Sequence, residues 1–209
     1  CLILLMSLVL AAPSAFATSA RQPSPKPLIL VLGDSLSAGY GLDAGDGWVA
    51  LLEQKLKSQA LPHAIVNASI SGETTAGGLA RLPALLERHR PQMVLVELGG
   101  NDGLRALPIK AMRDNLERIV DTSAKAGATA VLFEMQIPAN YGPAYSQQFT
   151  RTFTEVAQAK KVPLVPFLLA AFAADPRAFQ EDGIHPSAAA QPRILDTIWP
   201  ALRPLLAQP

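Results

Sequence analysis

Five short apolar runs, separated by helical patterns, constrain this chain more than any other feature. The runs are Leu28–Leu32, Ala64–Ala68, Met93–Leu98, Ala128–Glu134 and Val162–Pro166. Each is rich in Val, Leu or Ile with little polar alternation, as strands covered on both faces are. Between them lie helix candidates at 47–60, 76–89, 109–126 and 146–161, with another at 187–205. In the first of these, Trp48, Leu51, Leu52 and Leu56 recur at helical spacing. Strand-helix alternation of this kind predicts a three-layer α/β/α sandwich around a mostly parallel five-stranded sheet. No internal repeat or interdomain linker interrupts it, so 27–209 are expected to form a single domain.

The N-terminal residues carry a different pattern. Leu2 to Ala12 is an almost unbroken apolar stretch, followed by Pro13-Ser-Ala-Phe-Ala17. The small-x-small triplet Ala15-Phe16-Ala17 reads as a cleavage site, so 1–17 are expected to be a secretory signal peptide that begins inside the leader, cleaved after Ala17. A membrane anchor is the rival reading, but a spanning helix needs roughly 20 apolar residues. Residues 18–26 form a polar, Pro-containing lead-in. Cys1 is the sole cysteine and precedes the apolar run, which argues against a lipidated mature start. The mature chain would then have no disulfide, thiol nucleophile or cysteine metal site. With 18 basic and 17 acidic residues and no basic stripe, nucleic acid is not an expected partner.

In a parallel sheet the loops that follow the strands gather on one edge, where ligands bind. Four strand ends here are unusual: Gly33-Asp34-Ser35, Asn67-Ala-Ser-Ile-Ser-Gly72, Glu97-Leu-Gly-Gly-Asn101-Asp102 and Glu134-Met-Gln-Ile-Pro138. A serine held rigidly where a buried strand stops is a candidate nucleophile. Backbone N–H groups in the glycine-bearing loops and the Asn101 amide could converge as an oxyanion site. The base must be one of three histidines. His63 sits at the entry to a strand, and His89 at a helix C-terminus where a cation suits the dipole. Both read as structural or simply exposed. His185 lies in the turn-rich Gln180-Glu-Asp-Gly-Ile-His-Pro186, with Asp182 three residues earlier. One loop can thus deliver a base and the carboxylate that orients it.

Each piece also has a bland reading. Asp34 or Ser35 could merely cap a helix, and Gly-Gly-Asn-Asp is ordinary loop chemistry. Trp48, Trp199, Phe153 and Phe167 read as packing. Glu97 and Glu134 read as buried, hydrogen-bonded carboxylates without a chemical role. Asp34 and Asp102 invite a metal, but no third ligand is clearly placed with them, so no metal is expected.

Four blocks nevertheless carry a resemblance. Gly33-Asp34-Ser35-Leu36-Ser37, Gly72, Gly100-Asn101-Asp102 and Asp182-Gly-Ile-His185 resemble the GDSL, or SGNH, hydrolases. Val66–Thr74, Ala80–Leu86, Val96–Arg105 and Pro138–Gly142 are similar to the group of bacterial periplasmic thioesterase I/protease I/lysophospholipase L1 enzymes and their arylesterase relatives. The G-x-S-x-G elbow of α/β-hydrolases is absent. The resemblance implies the flavodoxin-like SGNH fold and a serine hydrolase of carboxylic esters and thioesters. It implies Ser35 as nucleophile, His185 as general base and acid, and Asp182 as orienter. The oxyanion donors would be the N–H groups of Ser35 and Gly72 and the Asn101 side chain. Gly103, Leu104, Arg105, Ala106, Leu107 and Pro108 would form a mobile loop bordering the acyl pocket. No cofactor is implied, and the partner is a small-molecule or lipid ester met by a monomer without a membrane span. Export favours lysophospholipids, aryl esters and short- to medium-chain esters over cytosolic acyl-CoA. The alternatives are a carbohydrate acetylesterase of the same superfamily and a non-catalytic periplasmic binding module.

Overall fold

The computed structural model describes residues 26–206, so the leader and most of the lead-in lie outside the described residues. All five expected strands form: β1 (Leu28–Gly33), β2 (Ala64–Asn67), β3 (Met93–Glu97), β4 (Thr129–Phe133) and β5 (Leu164–Val165). They pair in parallel in the order β2-β1-β3-β4-β5. β5 is shorter than its apolar run because Pro163 and Pro166 flank it and lack the N–H a ladder requires.

The long helices fall where periodicity placed them: α2 (Trp48–Ser58), α3 (Thr75–His89), α5 (Ile109–Lys125), α6 (Pro143–Lys160) and α7 (Gln191–Leu206). Two further helices, α1 (Ser35–Ala38) and α4 (Gly100–Leu104), are too short to leave a periodic signal. The start expected for α7 is instead a separate 3₁₀ turn, Ala188–Ala190.

Alternate strand residues face opposite layers. Ile29, Val31, Leu95, Val131 and Phe133 pack with Trp48 and Leu52 of α2 and Ile194 and Ile198 of α7. Leu30, Leu32, Val94 and Val96 pack with Leu82 of α3, Leu116 and Ile119 of α5, and Phe149 and Phe153 of α6. Burying such a side chain contributes roughly 1.5–3 kcal/mol. Because both faces are covered, the strands could not alternate apolar with polar.

From β1 the chain first lays β2 on one side, then crosses to place β3 on the other. The carboxyl ends of β1 and β3 therefore flank the topological switch point, where α/β sheets open a crevice. Ser35 follows β1, and Asn101 follows β3.

Candidate active site

Ser35 is the first residue of α1, immediately after the strand. Asp34 caps that helix, its Oδ1 accepting the Leu36 N–H at 3.0 Å. Capping thus falls to Asp34 and leaves the Ser35 hydroxyl available. The His185 Nε2 lies 2.8 Å from Ser35 Oγ, and its Nδ1 lies 2.6 Å from Asp182 Oδ2. The other Asp182 oxygen accepts the N–H groups of Ile184 (2.9 Å) and His185 (3.0 Å). One carboxylate therefore folds the loop and orients the ring. The backbone bond from His185, then its ring, pulls the Asp182 carboxyl down to about 2. It stays ionised at any physiological pH, which favours a proton on Nδ1 and leaves Nε2 to face the serine.

The oxyanion candidates Ser35, Gly72 and Asn101 line one cleft. Among the described residues, neither the Ser35 nor the Gly72 N–H donates to a protein acceptor. The first N–H groups of a helix have no partner within it, which accounts for Ser35. Asn101 lies in α4 and donates through Nδ2 to Asp34 Oδ2 at 3.1 Å. The amide carries two hydrogens, so one remains for a ligand. Gly99 makes this placement possible. Its φ is +115°, and a Cβ there would sit 2.8 Å from the Phe153 ring.

These groups open onto a cleft of about 860 Å³. Leu104, Met135, Ile137, Pro138 and Tyr141 line it with Asn101. Tyr40, which packs on the His185 ring, and Phe167, Leu169, Phe179 and Ile184 line it too. Reading the sequence missed most of these residues. They come from loops without periodicity, and only their convergence in space marks them.

The segment 103–108 divides. Leu104 lines the cleft, whereas Gly103 is buried in α4 against Ile137 and Phe149. Arg105 reaches the Gly72 loop, donating to the Gly72 carbonyl at 2.9 Å. Ala106, Leu107 and Pro108 lead into α5 and do not line the cleft; Pro108 is its N-cap.

The remaining polar candidates are structural. Asp102 accepts the N–H and the hydroxyl of Thr75 (2.9 and 2.6 Å) and so pins α3 to α4. Glu134 accepts from Gln136 at 3.0 Å. His63 lies just before β2, at the opposite edge of the sheet, and burial lowers its pKa. His89 ends α3. Among the described residues, no three His, Cys, Asp or Glu side chains are grouped as metal ligands.

Comparison with known proteins spans the same part of the chain. The GDSL-like lipase/acylhydrolase family model matches residues 31–192. The chain is 48% identical over 185 residues to Esterase TesA of Pseudomonas aeruginosa, covering 88% of this chain and 92% of that one. It is 46% identical over 178 residues to the Thioesterase 1/protease 1/lysophospholipase L1 of Escherichia coli K12, covering 85% and 84%. The crystal structure of the psychrotrophic esterase EstA from Pseudoalteromonas sp., inhibited by monoethylphosphonate, superimposes with a TM-score of 0.84 at 44% identity, over 88% of this chain and 100% of that one. On the strength of that match over most of its length, the chain belongs to the GDSL-like lipase/acylhydrolase family and is a carboxylic ester hydrolase.

Proposed function

We propose that this is an exported serine esterase that hydrolyses carboxylic esters and thioesters through an acyl-enzyme on Ser35. The observation that carries the reading is the unbroken Asp182–His185–Ser35 hydrogen-bond chain at the mouth of a largely apolar cleft, beside N–H groups that have no protein partner among the described residues. Ser35 gives its proton to His185 Nε2 as Oγ attacks the carbonyl carbon. The carbonyl oxygen becomes an oxyanion held by the Ser35 and Gly72 N–H groups and the Asn101 amide. One such donor contributes about 3–4 kcal/mol to the transition state. The His185 imidazolium, stabilised by ionised Asp182, then protonates the departing alkoxide or thiolate. Water enters, loses a proton to His185 and attacks the acyl carbon, and Ser35 recovers its proton as the carboxylic acid leaves.

No step draws on a cofactor. Inhibition of the similar EstA by monoethylphosphonate, a tetrahedral anion like the intermediate, supports the reading. The leader-like pattern of Leu2–Ala17 supports action outside the cytoplasm. Among the described residues, no helix is long and apolar enough to cross a membrane.

The apolar part of the lining, Leu104, Met135, Ile137, Phe167, Leu169 and Ile184, favours an apolar acyl or aryl group over a sugar. A series of p-nitrophenyl esters from acetyl to dodecanoyl, with lysophosphatidylcholine and acetylated xylan alongside, tests this. The expected result is a kcat/KM that rises with acyl length until the cleft is filled, each buried methylene contributing about 0.8 kcal/mol. Preference for acetylated xylan would overturn the substrate class.

A further inference from the structure

The mechanism requires Ser35 and His185 to stay in register, yet they lie 150 residues apart on separate loops. Among the described residues, two hydrogen bonds join segment 34–41 to segment 179–187. One is the contact between Ser35 and His185, and the other comes from Gln180. Half-buried Gln180 donates through Nε2 to the Tyr40 carbonyl at 2.8 Å and to the Pro186 carbonyl at 3.2 Å. Its backbone N–H donates to the His185 carbonyl at 2.8 Å. Tyr40 in turn donates its N–H to the Ser35 carbonyl at 3.1 Å. The result is a closed circuit, Ser35 to Tyr40 to Gln180 to His185 and back to Ser35.

The surroundings are built around this amide. Gly41 has φ +70°, and a Cβ there would lie 2.1 Å from Gln180 Oε1. The Tyr40 ring packs on the His185 imidazole, centroids 4.4 Å apart. Buried Gln191 braces the same Pro186 carbonyl from α7 at 3.3 Å while accepting the Trp48 N–H at 2.9 Å.

We propose that Gln180 is a positioning residue for the hydrolysis: its side-chain amide latches the His185 loop to the end of the nucleophile helix and so keeps Nε2 in line with Ser35 Oγ. The proposal rests on reading Ser35 and His185 as the reacting pair. Gln180 contacts neither reacting atom, so its removal should act through His185. Misplacing a catalytic group by about 1 Å costs on the order of 100-fold.

The test is a double-mutant cycle on the full chain, with p-nitrophenyl butyrate as substrate. Gln180→Met keeps the length of the side chain and removes the donor. Its kcat is expected to fall about 10- to 100-fold while KM stays within about twofold. In a His185→Ala background, the same substitution should change the residual rate less than about twofold, because the partner it positions is gone. Gly41→Ala displaces the amide from the other side and should reproduce the split between kcat and KM; it carries the test should Gln180→Met fail to fold. Wild-type kcat in both variants, or an equal loss with and without His185, would overturn the latch. A His185→Ala enzyme with wild-type activity would instead overturn the reading of the pair.

Discussion

Replacing Ser35 by alanine is expected to lower kcat/KM for p-nitrophenyl butyrate by on the order of 10⁵- to 10⁶-fold, with the thermal midpoint within about 2 °C of wild type. The reason is geometric. Ser35 is the hydroxyl within reach of His185 Nε2, and a methyl group in its place would leave the base nothing to activate except water. His185→Ala should cost about as much, and the double variant little more, because the two act as one unit. Asp182 does less. Asp182→Asn should cost on the order of 10⁴-fold, since an amide can still fold the loop but stabilises the wrong tautomer. A residual rate above uncatalysed hydrolysis should survive in all of these variants, supplied by the oxyanion donors and the cleft. Kinetics with circular dichroism on each protein checks this. A Ser35→Ala enzyme within tenfold of wild type would contradict it.

The second large effect lies beside the Ser35 turn, at the end of β3. Glu97 ends β3, is fully buried and accepts the Ser37 hydroxyl at 2.6 Å and the Asp34 N–H at 3.3 Å. Its other oxygen has no partner among the described residues. Burial, then the negative charge of Asp34, pushes its carboxyl well above the ordinary range, which favours the neutral acid in the folded state. Burial likewise pushes Asp34 up to about 6, against the lowering pull of the Leu36 N–H and Asn101. Glu97→Ala strands two buried donors and opens a cavity beneath the strand-to-helix turn. The expected cost is about 3–5 kcal/mol, or about 6–20 °C in thermal midpoint.

The pH dependence has a definite sign. The unfolded chain loses these protons near 3.8 for Asp34 and 4.5 for Glu97, while the folded chain keeps them to higher pH. Between those limits the native state binds more protons, so stability falls as pH rises. The Asp34 contribution is lost once pH passes about 6; that of Glu97 continues to fall further. Glu97→Gln keeps an acceptor for Ser37 and Asp34 without an ionisable proton. Its thermal midpoint should therefore gain on wild type steadily from about pH 5 upward. A difference that does not change with pH would contradict the buried neutral acid.

The parts of the molecule that were legible in the sequence are those that repeat. Leu28–Leu32 and Met93–Leu98 read as strands because burial on both faces leaves an unbroken apolar run. Trp48, Leu52 and Leu56 read as a helix because one face must meet the sheet. Ser35, Gly72 and Asn101 stood out in loops that follow strands on one edge, and Asp182 and His185 as a carboxylate and a histidine in one turn-rich loop; the resemblance to the GDSL hydrolases is what joined the five. What did not repeat was not legible. The helices α1 and α4 span four and five residues, fewer than the pattern needs. Glu97 could be read as buried, but its pairing with Ser37 and Asp34 depends on the register of β1 against β3. Gln180 is a polar residue in a polar loop, and only the approach of Tyr40 from a distant segment gives it a role.

The central claim is that Ser35 is the nucleophile, activated by His185. Treating the protein with a fluorophosphonate and mapping the adduct by peptide mass spectrometry tests this directly. The account predicts one phosphonyl group per chain, on the peptide carrying Ser35, and little or no labelling in Ser35→Ala or His185→Ala. Labelling at another residue, or equal labelling in the Ser35→Ala protein, would contradict it.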